Sequence, residues 1–170
     1  MNHDAVVADW RQNAATRDEA NYDFLRSMKY RDYGFEPDEL AAELHEEAFQ
    51  IIDCTRCANC CKTMVISVDE EDIERIAESL DMEVEDFIQT YLEADDRRES
   101  YKVRGKPCAF LGEDGRCTIY DVRPTVCREY PHTDKEGFTF RTISVANNAL
   151  NCPAVYWIVE EMKQRSGYQR

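Results

Sequence analysis

The feature that most restricts what this chain can fold into is the run Cys54-Thr-Arg-Cys57-Ala-Asn-Cys60-Cys61. Two cysteines separated by two residues can aim both sulfurs at one ion when the backbone between them turns, and the turn amides can then donate to the sulfurs. Three or four such donors within eight residues make a dense metal-binding signal. Three thiolates converging in one short loop lean toward an iron–sulfur cubane, because structural zinc usually takes two ligands from each of two knuckles. The adjacent pair Cys60 and Cys61 adds a constraint. Consecutive side chains point to opposite sides of an extended chain and diverge by about 100° in a helix. They therefore serve two metals, or one is a ligand and the other supports it or packs in the core.

Four more cysteines follow at Cys108, Cys117, Cys127 and Cys152. Eight cysteines in 170 residues exceed ordinary core filling yet fall short of the density of a small disulfide scaffold. No apolar run approaches the roughly 20 residues that a membrane helix needs, and the opening MNHDAVVADW lacks the pattern of a secretory signal. A cytoplasmic protein with no membrane span is expected, and in that reducing compartment stable disulfides are rare. Metal ligation is the joint explanation that remains. Two zinc sites of four thiolates each would also use all eight cysteines. Cys152-Pro153 matches the final Cys-Pro of bacterial ferredoxin loops, although it stands far from the first run.

Charge is distributed unevenly. The chain holds 35 acidic and 21 basic residues, which argues against nonspecific affinity for nucleic acid. Residues 1–53 and 69–99 carry net charges of −8 and −11, while 54–68 and 100–170 carry +2 and +3. Every cysteine lies in the two cationic segments, where nearby cations stabilise the thiolate form. The acidic segments are equally explained as solvated helix faces.

The cysteine motifs in their order are CxxCxxCC at 54–61, PCxFL at 107–111, GRCTIYDVRPTVCREYP at 115–131 and CP at 152–153. With these residues the chain resembles the YkgJ-like CxxCxxCC family, described as a zinc- or iron-chelating domain, over roughly residues 50–155. The resemblance implies a cysteine-ligated metal domain with Cys54, Cys57, Cys60, Cys61, Cys108, Cys117, Cys127 and Cys152 as the metal residues. The leading cofactor is an iron–sulfur cluster of the 4Fe-4S kind, used for redox, sensing or delivery, and the alternative is a zinc-stabilised module without catalysis. Flagellin lysine methylases look like longer relatives. Their activity is not carried over, since no glycine-rich cofactor loop is recognisable here.

Hydrophobic spacing predicts a helix over 4–29, a second from Pro37 to about Ile52, a third after the Asp69 cap with Ile73, Ile76, Ala77 and Leu80, and a fourth over 83–93. Short strands are expected at 64–68, 101–103, 109–111, 118–120 and 138–145, and a last helix over 155–162. The expected fold is a small single α+β domain organised around the metal centre. It divides into an N-terminal helical segment at 1–49, a cysteine-cluster core at 50–155 and a helix end and tail at 156–170.

Arg123 and Arg128 are read as local salt-bridge residues first and as donors to thiolates second. Tyr120 and Tyr130 are read as packing residues, and His3, His45 and His132 as surface histidines. No Cys-His-Asp set stands out, so the sequence leaves turnover, a protein partner and the oligomeric state open.

Overall fold

The computed structural model describes residues 2–95 and 100–168. Its architecture is α+β, with nine α-helices and three β-strands among the described residues. The residues gather into two compact units, one formed by 1–57 with 131–170 and the other by 58–130.

The first unit is helical. It contains α1 (His3–Ser27), α2 (Pro37–Ile51), the short α3 (Cys54–Cys57), α8 (Thr142–Asn151) and α9 (Pro153–Ser166). Asn2 caps α1 through its side chain, and Pro37 begins α2 where a missing N–H costs nothing. α9 is the centre of this unit. Eight of its residues from Pro153 to Met162 are buried, which fits a helix covered on nearly all sides by α1, α2 and α8. Phe24, Leu25, Leu44, Ala48, Val155, Ile158 and Met162 form the dry core, each large side chain contributing about 1.5–3 kcal/mol. Polar ties fix the packing. The Trp10 indole donates to the Ala149 carbonyl at 3.0 Å, and the Tyr156 hydroxyl donates to Asp9 at 2.8 Å.

The second unit is a small sheet with helices. It contains α4 (Asn59–Thr63), β1 (Ser67–Val68), α5 (Glu70–Ser79), α6 (Val84–Tyr91), β2 (Leu92–Asp95), β3 (Ser100–Val103) and α7 (Thr125–Glu129). The strands run antiparallel in the order β1-β3-β2, with Ser67 opposite Lys102 and Leu92 opposite Val103. Val68, Ile73, Ile76, Phe87, Leu92, Val103, Phe110 and Ile119 fill its core. Asp69 caps α5 as expected, accepting from the Asp72 N–H at 2.8 Å.

The two long N-terminal helices, α5, α6 and α9 form where the spacing predicts them. Four strand expectations fail in part or whole. Only residues 67–68 of 64–68 are extended in a ladder, and 109–111 contributes a single bridge, Leu111 to Cys117. Residues 118–120 lead into a 3-10 turn at Tyr120–Val122. The stretch 138–145 is helical, a 3-10 turn at Phe138–Arg141 followed by α8. Its β-branched and aromatic residues favour a strand locally, yet Val145, Ala146 and Ala149 share one buried helical face. Packing against α1 and α9 overrides the local preference.

Candidate metal centre

The eight cysteines divide between the two units. Cys54, Cys57 and Cys152 belong to the helical unit, and Cys60, Cys61, Cys108, Cys117 and Cys127 to the sheet-containing one. The opening run breaks at Ala58, which takes the left-handed conformation at φ 48° and so keeps α3 and α4 from joining into one helix. A side chain in that region costs about 1 kcal/mol or more, so the break is held by its surroundings.

In the sheet-containing unit, α4, α7 and the turns between β3 and α7 carry Cys61, Cys108, Cys117 and Cys127. The Cys108 N–H donates to the Cys61 carbonyl at 2.8 Å, fastening the PCxFL loop to α4. Phe110 of that loop is 3% exposed and packs its ring on Tyr91 at 4.9 Å and Phe87 at 6.2 Å. The next turn closes through the Gly112 N–H to the Arg116 carbonyl at 2.8 Å, with Gly115 at φ +79°. That positive φ suits glycine, and the tight return sets Cys117 opposite Leu111.

The helix that carries Cys127 is anchored by Asp72. Asp72 on α5 is 1% exposed, and its carboxylate accepts from the Thr125 N–H at 3.0 and 3.2 Å and from the Thr125 hydroxyl at 2.9 Å. It also pairs with Arg75, which in turn donates to the Arg123 carbonyl at 3.2 Å. A buried carboxylate needs such partners. The available signal was an acidic residue beside Ile73 and Ile76 on the apolar stripe of α5, a position that demands a polar anchor elsewhere in the chain.

The thiols of Cys61, Cys108, Cys117 and Cys127 act on one another electrostatically. Burial pushes Cys127 up to about 12, and the neighbouring Cys61, Cys108 and Cys117 add to the rise. Burial also raises Cys108 and Cys117, against the Phe110 and Ile119 N–H groups that donate to their sulfurs. Cys61 moves the other way, down to about 7, because the Cys60 thiol hydrogen-bonds to it and Lys62 and Arg123 add positive charge nearby.

Arg123 lies over the Tyr120 ring at 3.9 Å and donates to the Tyr120 carbonyl at 2.8 Å. From there its charge acts on Cys61, Cys117 and Cys127. Arg128 instead donates to the Thr125 hydroxyl at 2.8 Å.

The helical unit holds the other set. Asp53 accepts from the Thr55 N–H at 2.9 Å and the Thr55 hydroxyl at 2.6 Å, turning the chain into α3 with Cys54 exposed and Cys57 half-buried. Cys152 sits at the joint of α8 and α9, where the Ala154 and Val155 N–H groups donate to its sulfur. Burial nevertheless pushes that thiol up to about 12, and the Cys54 and Cys57 charges contribute. The histidines are less exposed than expected. His3 accepts from the Asp53 N–H at 3.1 Å, and His45 is bonded to the Thr133 hydroxyl at 2.8 Å with its ring against Phe49.

Among the described residues, no three Cys, His, Asp or Glu side chains stand ready-spaced around one ion. The donor chemistry still fits a soft or borderline metal: clustered thiols, amide donors on the sulfurs and a neighbouring guanidinium. The sequence profile of a family described as "CxxCxxCC: Putative zinc- or iron-chelating domain" matches residues 53–153. The chain belongs to the CxxCxxCC family. The matched span takes in all eight cysteines of this CxxCxxCC protein, together with Asp72, Phe110, Arg123 and Thr125. No solved structure matches the chain at a significant level. Among the described residues, no helix is long and apolar enough to cross a membrane.

Proposed function

We propose that this CxxCxxCC protein holds an iron–sulfur centre on thiolates drawn from Cys54, Cys57, Cys60, Cys61, Cys108, Cys117, Cys127 and Cys152, and uses it for electron transfer, sensing or metal delivery. The observation that carries this reading is that the thiols of Cys61, Cys108, Cys117 and Cys127, from four separate segments of one unit, act on one another electrostatically, with the Arg123 charge acting on three of them. Ligands spread in this way resemble a cluster cage more than the paired knuckles of a zinc finger. The Cys54-x-x-Cys57 pair with Cys152-Pro153 points in the same direction.

When bound, such a cluster supplies one-electron transfer at a potential set by its charge, the hydrogen bonds to its sulfurs and its exposure. The protein's own groups set those conditions. The Phe110 and Ile119 amides and the Arg123 guanidinium offset thiolate charge, and Asp72 fixes the helix that carries Cys127. Cys127 and Cys152 hold their protons until a metal displaces them, so binding releases protons and weakens as pH falls.

Anaerobically purified, reconstituted protein should be brown and contain iron and acid-labile sulfide. Colourless protein with stoichiometric zinc overturns the iron reading and favours a second one. The closed group of four thiols in the sheet-containing unit also suits a structural tetrathiolate zinc site, in which metal binding supplies folding energy and no turnover occurs. Under that reading a chelator unfolds the unit.

A further inference from the structure

Among the described helices of eight or more residues, α8 alone carries no charged side chain. The uncharged run continues from Thr142 through Val159, in a chain in which 33% of residues are charged. Burial explains this for α9, whose residues from Pro153 to Val159 are covered. It does not explain α8, which lays only Thr142, Val145, Ala146 and Ala149 into the interior. On its opposite face Ile143 is 60% exposed and Leu150 36%, with Ser144 and Asn147 also open to solvent. Phe140, in the 3-10 turn that leads into α8, is 88% exposed, the most of any large apolar side chain described. Other solvated helix faces of the chain point charge outward, as with Glu43 and Glu46 on α2 and Glu71, Glu74 and Glu78 on α5. An exposed apolar stripe without charge marks an interaction surface.

We propose that this face is a self-association surface, on which a second copy of the chain packs its own α8 antiparallel about a two-fold axis. Two observations select a second copy. The exposed residues Phe140, Ile143, Asn147 and Leu150 are spaced by three, four and three positions, a pattern that reads the same in both directions. Reversed against itself, it sets Phe140 of one copy opposite Leu150 of the other and Ile143 opposite Asn147, each contact occurring twice as a two-fold interface requires. The other observation is charge. At a net charge of −14 two copies repel over most of their surfaces, and α8 is where they can meet without opposing like charges. Depletion of charge around an aromatic side chain is the composition of an interface core. Three apolar side chains and their rim supply well under the roughly 800 Å² per partner of a standard interface, so the association is weak, with a dissociation constant on the order of 10 µM or above. Asn147 weakens it further and fixes the register, because its amide must keep a polar partner at the edge of the contact. Metal binding elsewhere in the chain is not required for this contact.

The test is sedimentation equilibrium of the full chain, kept reduced under anaerobic conditions so that thiols cannot cross-link copies. The apparent mass should rise from that of one chain at low micromolar concentration toward that of two at several hundred micromolar. Added salt should strengthen the association, because it screens repulsion between two acidic chains and leaves an apolar contact in place. Ile143→Asp, which sets an unpaired carboxylate in each half of the contact, should weaken it by about tenfold or more. Tyr30→Ser, which removes a similarly exposed aromatic ring from the connector between α1 and α2, should leave it unchanged. Amide exchange of the unsubstituted chain is the second measurement, with protection rising with concentration most strongly over residues 140–150. A single-chain mass at every concentration overturns the proposal. So does an association that salt weakens, that protects a different segment, or that Ile143→Asp leaves unchanged with its helical circular dichroism retained. Should Ile143→Asp fail to fold, the salt response and exchange pattern of the unsubstituted chain decide the matter.

Discussion

The two units of this chain hold three and five cysteines and stabilise themselves by different means. The helical unit buries a wide apolar surface, with α9 packed among α1, α2 and α8 and both tryptophans, Trp10 and Trp157, in or against its core. Its cysteines lie at helix ends, and Cys152 packs against the edge of the core. The sheet-containing unit has a smaller core, short strands among the described residues, and long turns between β3 and α7 tied down by hydrogen bonds. The comparison predicts that a bound metal would matter less to the first unit's fold than to the second's. A small core with much irregular backbone is where metal ligation adds most to stability.

The most direct way to break this contrast is metal removal. Structural metal–thiolate sites contribute on the order of 10 kcal/mol to folding. Chelation should therefore collapse amide-exchange protection over residues 58–130 by orders of magnitude while tryptophan emission, which reports Trp10 and Trp157, stays native. A shift in tryptophan emission on chelation would erase the distinction.

Core truncation should act in the opposite sense. Phe24→Ala removes a fully buried ring from the helical unit and should cost about 4 kcal/mol in denaturant unfolding, with metal stoichiometry unchanged in the folded protein. Asp72→Ala comes next. Losing a buried carboxylate that holds Thr125 and pairs with Arg75 should cost about 3 kcal/mol. It should also weaken cobalt binding at the Cys127-containing site, whereas Thr125→Ala, which keeps the backbone contact, should cost about 1 kcal/mol. Equal cobalt affinity in Asp72→Ala and the parent chain would show that α7 needs no anchor.

The smallest perturbation leaves the fold intact. In the reduced, metal-free chain Cys61 is pulled from the ordinary 9.0 to about 7, while Cys127 and Cys152 are pushed to about 12. Iodoacetamide at pH 8 should label Cys61 before either of them, as read by peptide mass spectrometry. The linkage has opposite signs in the two cases. Stability contributed by the lowered Cys61 is complete above about 9 and is lost as pH falls through about 7. Stability contributed by the raised Cys127 and Cys152 is complete below about 9 and is lost as pH rises toward about 12.

Much of the helical unit was legible in the chain because its helices declare themselves locally. Leu40, Leu44 and Ala48 recur at helical spacing, and Pro37 marks where their helix begins. α8 was not legible. Its Phe, Thr, Ile and Val residues favour extended backbone, and only burial of Val145, Ala146 and Ala149 against other helices selects the helix. Asp72 illustrates the same limit at the candidate site, since its partner Thr125 stands 53 residues away.

By itself the sequence determined the inventory: eight thiols, the motifs that carry them, the cations around them and a family of metal chelators. Only the tertiary structure decided which thiols are neighbours. Residue type is a local property, but the grouping of side chains depends on a left-handed turn at Ala58, on loop closures between distant segments and on a buried carboxylate, none of which is fixed by spacing alone. The run at residues 54–61 is continuous along the chain and falls into two compact units for that reason.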